Sequence, residues 1–332
     1  MDHCADRVDE AAGRDGDDAG GSDADDRGRH ADDPTDIPPS GWKDTMARVK
    51  EQYRSDHVAL AAAAVAYHAF LALVPLLIAT LSIYGLFAEP SNVTALVDRL
   101  GPSVPQAVSD LIEEQLTTVV NGATGALSVG LVISLVVALW AASSGIGQLM
   151  EAVNIAYDED IDERPFWRRR GLALALTLLV IAALAIAATA VAVAVGLSGV
   201  LGVVALVGAA LLSAVVMMAL LATIYRVAPD RDDAEWSWVS VGAGFAVVGW
   251  LVASTAFSLY ASNFGSYNEA YGALGGIIVV LLWMYISALV ILLGAEINAE
   301  LEHQTAQDTT VGADQPIGSR HAYVADTLGP SS

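Results

Sequence analysis

Asn263-Phe-Gly-Ser-Tyr-Asn-Glu-Ala-Tyr-Gly-Ala-Leu-Gly-Gly-Ile-Ile-Val-Val-Leu-Leu-Trp-Met-Tyr-Ile-Ser-Ala-Leu-Val-Ile-Leu-Leu-Gly-Ala-Glu-Ile-Asn298 decides the fold. A polar, aromatic turn leads into an apolar run, and from Leu274 to Gly294 no residue is charged. At 1.5 Å per residue such a run covers roughly 30 Å, about one bilayer core. It ends in Glu296, Asn298, Glu300 and Glu302. The stretch reads as a transmembrane helix with a polar outer lip and an acidic inner end.

The flanking chain fits a bundle around that helix. Its 332 residues are 55% hydrophobic, yet the formal net charge is -22. The two facts agree only if charge is segregated into tails and loops. Asp15, Asp17, Asp18, Asp23, Asp25, Asp26, Asp32, Asp33 and Asp36 crowd the first forty residues, which hold little that is apolar. A segment of that kind buries too little surface to offset its ordering entropy, so residues 1–40 are expected to be a disordered acidic tail. Lys43 and Lys50 are the only lysines. Acidic composition with so little lysine suits high salt, where repulsion is screened, and points to a halophilic archaeal source. The acidic tail argues against nucleic-acid partners, because it would repel phosphates. Cys4 is the single cysteine, which excludes an internal disulfide. No apolar h-region follows a basic start, so no cleaved signal peptide is expected.

Residues 41–302 read as an all-α membrane domain with six spans, at about 57–87, 125–157, 171–195, 201–227, 236–262 and 272–302. Before them, Trp42, Met46, Val49 and Tyr53 recur at helical spacing beside Lys43, Arg48, Lys50 and Arg54, the pattern of an interfacial helix. Pro75 is expected to kink the first span. Residues 88–124 are amphipathic but too charged to cross, and include the sequon Asn92-Val-Thr94. The polar tail 303–332 is expected to be disordered. An even number of spans puts both termini on one side. Lys43, Arg48, Lys50, Arg54, Arg164, Arg168, Arg169, Arg170, Arg226 and Arg231 flank one set of span ends, against Arg99 on the other. By the positive-inside rule both termini are cytoplasmic and the protein is a multi-pass protein of the cell membrane.

Several segments resemble one family. They are Ala64-Val-Ala-Tyr-His-Ala-Phe-Leu-Ala-Leu-Val-Pro75; Ala138-Leu-Trp-Ala-Ala-Ser-Ser-Gly-Ile-Gly147 with Asn154, Tyr157 and Arg164-Pro-Phe-Trp-Arg-Arg-Arg170; Tyr225-Arg226 with Pro229; and Phe257 to Asn268 with Tyr271-Gly272. Over about residues 42–302 the chain resembles the YihY/virulence factor BrkB family. The resemblance implies a six-span inner membrane protein. Members have been linked to serum resistance and some relatives to envelope lipid movement. His68 stands where the family pattern implies a tyrosine. The family has also carried a ribonuclease label. A hydrolytic metallonuclease needs clustered His and Asp ligands, and His3, His30, His57, His68, His303 and His321 are scattered.

Candidate functional residues follow from polarity at membrane depth. Tyr67 and His68 lie about ten residues into the first span, where an ionisable group either lines a pathway or bonds a neighbouring helix. Glu151, on a stripe with Ser143, Gly147 and Asn154, and Glu296 near the inner end of the sixth span could each guard a polar vestibule with an arginine partner. For Glu296 with Glu300 a solvated face is the competing reading. Asn263, Tyr267, Asn268 and Tyr271 form the outer lip, as a site or as a turn locked by its own hydrogen bonds. Pro75, Gly147, Gly272 and Gly276 are expected at helix contacts. Arg164, Arg168, Arg169, Arg170 and Arg226 are expected to set topology and meet lipid headgroups. No catalytic set, metal site or cofactor motif is apparent. The expected activity is movement of a small or lipidic solute without ATP hydrolysis, with membrane lipids as partners and a homo-oligomer left open. The alternative is a structural membrane protein that organises envelope partners.

Overall fold

The computed structural model describes residues 27–85, 129–159, 162–262 and 273–330. Residues 1–26, the amphipathic segment 88–124 with Asn92, and the outer lip 263–272 lie outside them. Helix α1 is Pro39–Ser55, α2 Val58–Gly85, α3 Val129–Ala156, α4 Phe166–Val195, α5 Gly199–Val227, α6 Trp236–Ser262 and α7 Ala273–Glu302; a short helix α8 is Tyr323–Asp326. No β-sheet occurs among the described residues, only one isolated bridge between Ala234 and Thr310. Five of the helices, α3 to α7, are long and apolar enough to cross a membrane, and the count is six if the bent pair α1–α2 is one span.

The spans form a closed ring. Each of α2 to α7 packs on its successor, and α7 returns to α2. Helix α7 also touches α1, α3 and α8, so the helix that set the sequence reading is the hub of the bundle. Apolar side chains of α4 and α5 point outward, among them Val195, Val200 and Leu211, exposed by 67%, 82% and 64%. For a membrane helix that surface is satisfied by lipid tails.

Small residues set the closest approach. A Cβ at Gly242 would lie 2.0 Å from the Gly294 carbonyl oxygen, and one at Gly294 would lie 2.6 Å from the Tyr225 hydroxyl. Neither position admits a side chain without moving a helix, the small-residue packing expected between membrane helices. Gly145 lets α3 close on Ala72 of α2. The glycines picked from sequence do not do this: Gly147 and Gly276 have open space where a Cβ would stand, and Gly272 lies outside the described residues. Pro75, half-buried, sits inside a continuous α2.

A 63° bend separates α1 from α2. His57 makes it, in the left-handed region at φ 52°. Asp56 N–H closes α1 on the Gln52 carbonyl, and Leu60 and Ala61 N–H groups start α2 on the His57 carbonyl. The buried side of α1 is Gly41, Asp44, Thr45, Arg48 and Val49, so Arg48 is no surface cation.

Both polar tails correct the expectation of disorder where they are described. Residues 27–37 and 303–330 pack over the charged end of the bundle. Ala306 N–H donates to the Arg29 carbonyl, Thr305 Oγ1 to the Ala31 carbonyl at 2.6 Å, and Arg29 Nη2 to the Gly329 carbonyl at 2.5 Å. Arg320, 4% exposed, donates to the carbonyls of Ala306, Gln307, Gln315 and Ala325. Arginine forks saturating backbone carbonyls fold a segment that has little apolar surface to bury.

Candidate functional site

Two places concentrate chemistry. The first is the charged end, built on the last two turns of α7. Asn298, fully buried, donates Nδ2 to the Val239 carbonyl and accepts the Gly242 N–H at 2.6 Å, so it clamps α6. Glu300 receives Arg48 Nε at 2.5 Å, and the same guanidinium reaches Gln304 Oε1 and the Glu300 and Pro330 carbonyls. Glu302 receives Arg231 Nη2 at 2.7 Å and Thr309 Oγ1 at 2.8 Å, with both ionic side chains at 0% exposure. The Arg231 guanidinium lies 4.8 Å from the Tyr157 ring centroid. Burial alone would lower the Arg231 pKa, but Glu302 and the neighbouring oxygens outweigh it and hold the guanidinium more firmly charged. The reading of Glu296 and Glu300 as a solvated face is therefore wrong. The two residues are 1% and 3% exposed, with Arg48 of α1 on Glu300 and Asp56 of the α1–α2 turn beside Glu296. Among the described residues Glu296 has no arginine: neither of its oxygens receives a hydrogen bond.

Around this core the loops are stapled by ions. Arg164 bonds Asp162 at 2.9 Å, lies 3.4 Å from Asp230 and donates to the Val227 and Ala228 carbonyls. Burial tends to raise the Asp162 pKa, but the bonds from Arg164 and the Arg169 charge bring it below the usual carboxylate value. Asn154 donates to the Glu159 carbonyl and accepts from Asp230 N–H at 2.8 Å, tying α3 to the α5–α6 loop. Glu159 accepts from Tyr323 N–H, and burial raises its pKa. Two of the sequence candidates, Arg164 and Asn154, are thus held in bonds between the loops and the ends of α3 and α5. Arg226 stacks on Trp236 with 4.5 Å to the ring centroid and lies 3.7 Å from Asp233. Arg168 is exposed, on the rim of a cleft of about 390 Å³ that His321 and Asp232 also line.

The second place is on the α3–α4 face. Arg169 and Arg170 point in opposite directions. Arg169 turns to the charged end and bonds Glu151 at 2.6 Å. Arg170 instead sets its guanidinium 4.1 Å from the ring centroid of Trp140 and donates Nη2 to the Trp140 carbonyl. Trp140 is sixteen residues before the end of α3, roughly 24 Å along the helix axis. A long cationic side chain near a span end ordinarily snorkels to the interface. Arg170 turns instead toward Trp140 of α3. A guanidinium over a tryptophan face at so accessible a site contributes about 0.5–1 kcal/mol. Ser143 Oγ also donates to the Trp140 carbonyl, and Ser144 Oγ to that of Ala141.

On α2, Tyr67 is 56% exposed and meets the His68 ring edge-on at 5.3 Å. His68 is half-buried and its Nδ1–H donates to the Ala64 carbonyl of its own helix at 2.9 Å. Among the described residues it bonds no other helix, and it is not sealed in apolar packing. Asn263, Tyr267, Asn268 and Tyr271 lie outside the described residues. No three His, Cys, Asp or Glu side chains gather as metal ligands among the described residues.

Sequence comparison places this architecture. The chain is 33% identical over 251 residues to the ribonuclease-like protein YfkH of Bacillus subtilis, covering 72% of this chain and 88% of that one. It is 29% identical over 272 residues to a UPF0761 membrane protein of Alteromonas mediterranea (78% and 88% covered), and 28% over 271 residues to one of Aggregatibacter aphrophilus (78% and 92%). No solved structure matches. The model of the family described as Virulence factor BrkB matches residues 49–317, which takes in every span, the α3–α4 face and most of the tail over the charged end, and this multi-pass membrane protein belongs to that family.

Proposed function

We propose that the protein moves a small or lipidic solute across the cell membrane without hydrolysing ATP, and that the solute carries an anionic group. The observation that carries this reading is Arg170, a cation turned inward along a span and held at the exposed ring of Trp140, which is 41% exposed. An ionisable group kept at membrane depth is expensive and ordinarily marks a pathway. A phosphate or carboxylate passing along the α3–α4 face would exchange the Trp140 contacts for a charge-assisted bond to the guanidinium. Tyr67 and His68 add polar groups to the exposed surface of α2. The basic residues at the charged end orient it, and both termini, toward the cytoplasm. Membrane lipids are the partners in this reading, and neither nuclease chemistry nor a cofactor enters it.

The test is reconstitution of the full chain in liposomes of zwitterionic and anionic fluorescent phospholipid, with scrambling and anion flux measured side by side. Wild type should move the anionic probe faster than protein-free vesicles, and Arg170→Gln should remove most of that excess while Glu151→Ala retains it. Rates equal to protein-free vesicles for both probes would refute transport and favour an organising role in the envelope.

A further inference from the structure

Glu296 differs from the other buried acids of the charged end. Glu300 has Arg48, Glu302 has Arg231, Asp162 has Arg164 and Asp44 has Arg27. Glu296, 1% exposed, has no donor to either oxygen. The side chain within hydrogen-bonding reach of it is another acid, Asp56, in the α1–α2 turn. Asp56 Oδ2 is itself buried without a donor.

Among the described residues no uncommitted cation bonds either group. From α1 comes Arg48, already committed to Glu300 and Gln304. From the end of α3 come Tyr157 and Asp158, and α7 adds Asn298, Glu300 and Glu302. His303 Nδ1 sits 3.6 Å from Glu300 Oε1 and hydrogen-bonds the Thr327 hydroxyl through Nε2. Arg231 of the α5–α6 loop is bound to Glu302, and α6 carries no charged residue along its whole length. In α8, Asp326 is occupied by the Gly318 and Arg320 N–H groups. Two facing carboxylates in such a site cannot both be ionised cheaply, whereas one proton turns one of them into a donor for the other.

We propose that Asp56 and Glu296 form a proton-binding site that holds one proton between them, with the Glu296 carboxyl O–H donating to the Asp56 carboxylate. The proton enters from water at the charged end through the half-exposed Asp56 and leaves by the same route; one O–H bond forms on uptake and breaks on release. Bound, it ties the α1–α2 turn to α7. Released, it leaves two like charges facing across that contact, which drives the start of α2 away from the hub helix. Burial, reinforced by the Asp158 charge, raises Asp56 in the turn outside the span to about 6. A carboxyl whose folded value lies above its unfolded one contributes stability at low pH that is lost as pH rises through the folded value. The titration belongs to the pair rather than to one residue. The site does not depend on the transport reading.

The test uses the full chain in lipid nanodiscs. Infrared spectra at about pH 7 should show a protonated carboxyl C=O band in wild type that Glu296→Gln abolishes, and exchange of H₂O for D₂O should shift the band. In parallel, wild type should lose thermal stability between about pH 4 and pH 6, the interval between the ordinary and the folded value of Asp56, and both Glu296→Gln and Asp56→Asn should flatten that loss. Where Glu296→Gln does not fold, Asp56→Asn with the wild-type band decides. Equal bands in wild type and Glu296→Gln, no wild-type band, or a pH slope untouched by either substitution would overturn the proposal. So would a band that disappears on adding molar KCl at constant pH, which would mean a bound alkali cation in place of the proton.

Discussion

Replacing Gly242 by alanine adds one methyl group at the tightest helix contact described. Its carbon would stand 2.0 Å from the Gly294 carbonyl oxygen and 2.5 Å from Asn298 Oδ1. Both neighbours are fixed, one by the α7 backbone and the other by its two bonds to α6, so the helices must separate by about 1 Å or more in an interior packed like a crystal. That separation stretches the 2.6 Å bond from Gly242 N–H to Asn298 beyond bonding range. Overpacking costs about 1–3 kcal/mol, and leaving a buried amide unsatisfied adds about 1–3 kcal/mol. The sum, about 2–6 kcal/mol, is a large part of the 5–15 kcal/mol typical of a folded domain. Gly276→Ala is the control: a Cβ there meets nothing within 4 Å, and removing a flexible glycine from a helix gains up to about 1 kcal/mol. The assay is apparent melting temperature in detergent at one fixed scan rate, since proteins of this type commonly unfold irreversibly. Gly242→Ala should fall by on the order of 10 °C and Gly276→Ala should hold or rise. A Gly242→Ala protein that melts with wild type, or a Gly276→Ala protein that falls as far, would refute the assignment of α6–α7 as the close contact.

Two further outcomes concern the cover over the charged end. Arg48→Met leaves Glu300 buried without its cation, a change that costs about 3–5 kcal/mol; hydrogen exchange across residues 303–330 should accelerate together, and exchange confined to α1 would contradict the linkage. Asp308 is buried, which acts to raise its pKa, but the Thr310 and Gln315 N–H groups, the Thr310 hydroxyl and Arg320 outweigh that and depress it. A depressed folded value means stability present above the ordinary carboxylate range and lost as pH falls through the folded value; protection of residues 306–326 should therefore fail on the acid side in wild type, and Asp308→Asn should start lower and show no such acid step.

The spans were legible because a run without charge has one explanation at that length. The extra reach of Arg170 was not. Sequence places that residue among four arginines at a span end, where a topology signal is the economical reading, and the direction of a side chain along a helix is invisible to spacing. Gly147 and Gly276 failed as packing glycines for a related reason. Gly272 and Gly276 satisfy a four-residue spacing on one helix, but close approach is a property of two helices. The pair that matters, Gly242 and Gly294, meets across different spans and has no local signature. The tails failed because composition measures only the apolar surface a segment can bury. Residues 303–330 are held instead by arginine donors to backbone carbonyls and by Thr and Gln side chains reaching residues 27–31, partners more than 270 positions away.

The same blindness to cover matters most at the acidic end of α7. Glu296 and Glu300, four apart, present one face of a helix, and a helix read alone assigns such a face to water. Once α1 and the α1–α2 turn are laid over it, the same two residues must be satisfied by protein. Glu300 is, through Arg48 at 2.5 Å. Glu296 is not: the contact offered to it is the carboxyl of Asp56. Net charge cannot separate these cases, because an acid paired with arginine and an acid paired with another acid count alike in the sum. Pairing separates them at once. Where the cover neutralises a carboxylate with an arginine, the group's chemistry is spent on folding. Where it buries a carboxylate against another carboxyl, folding itself requires a proton, and the stability of the hub contact becomes a function of pH.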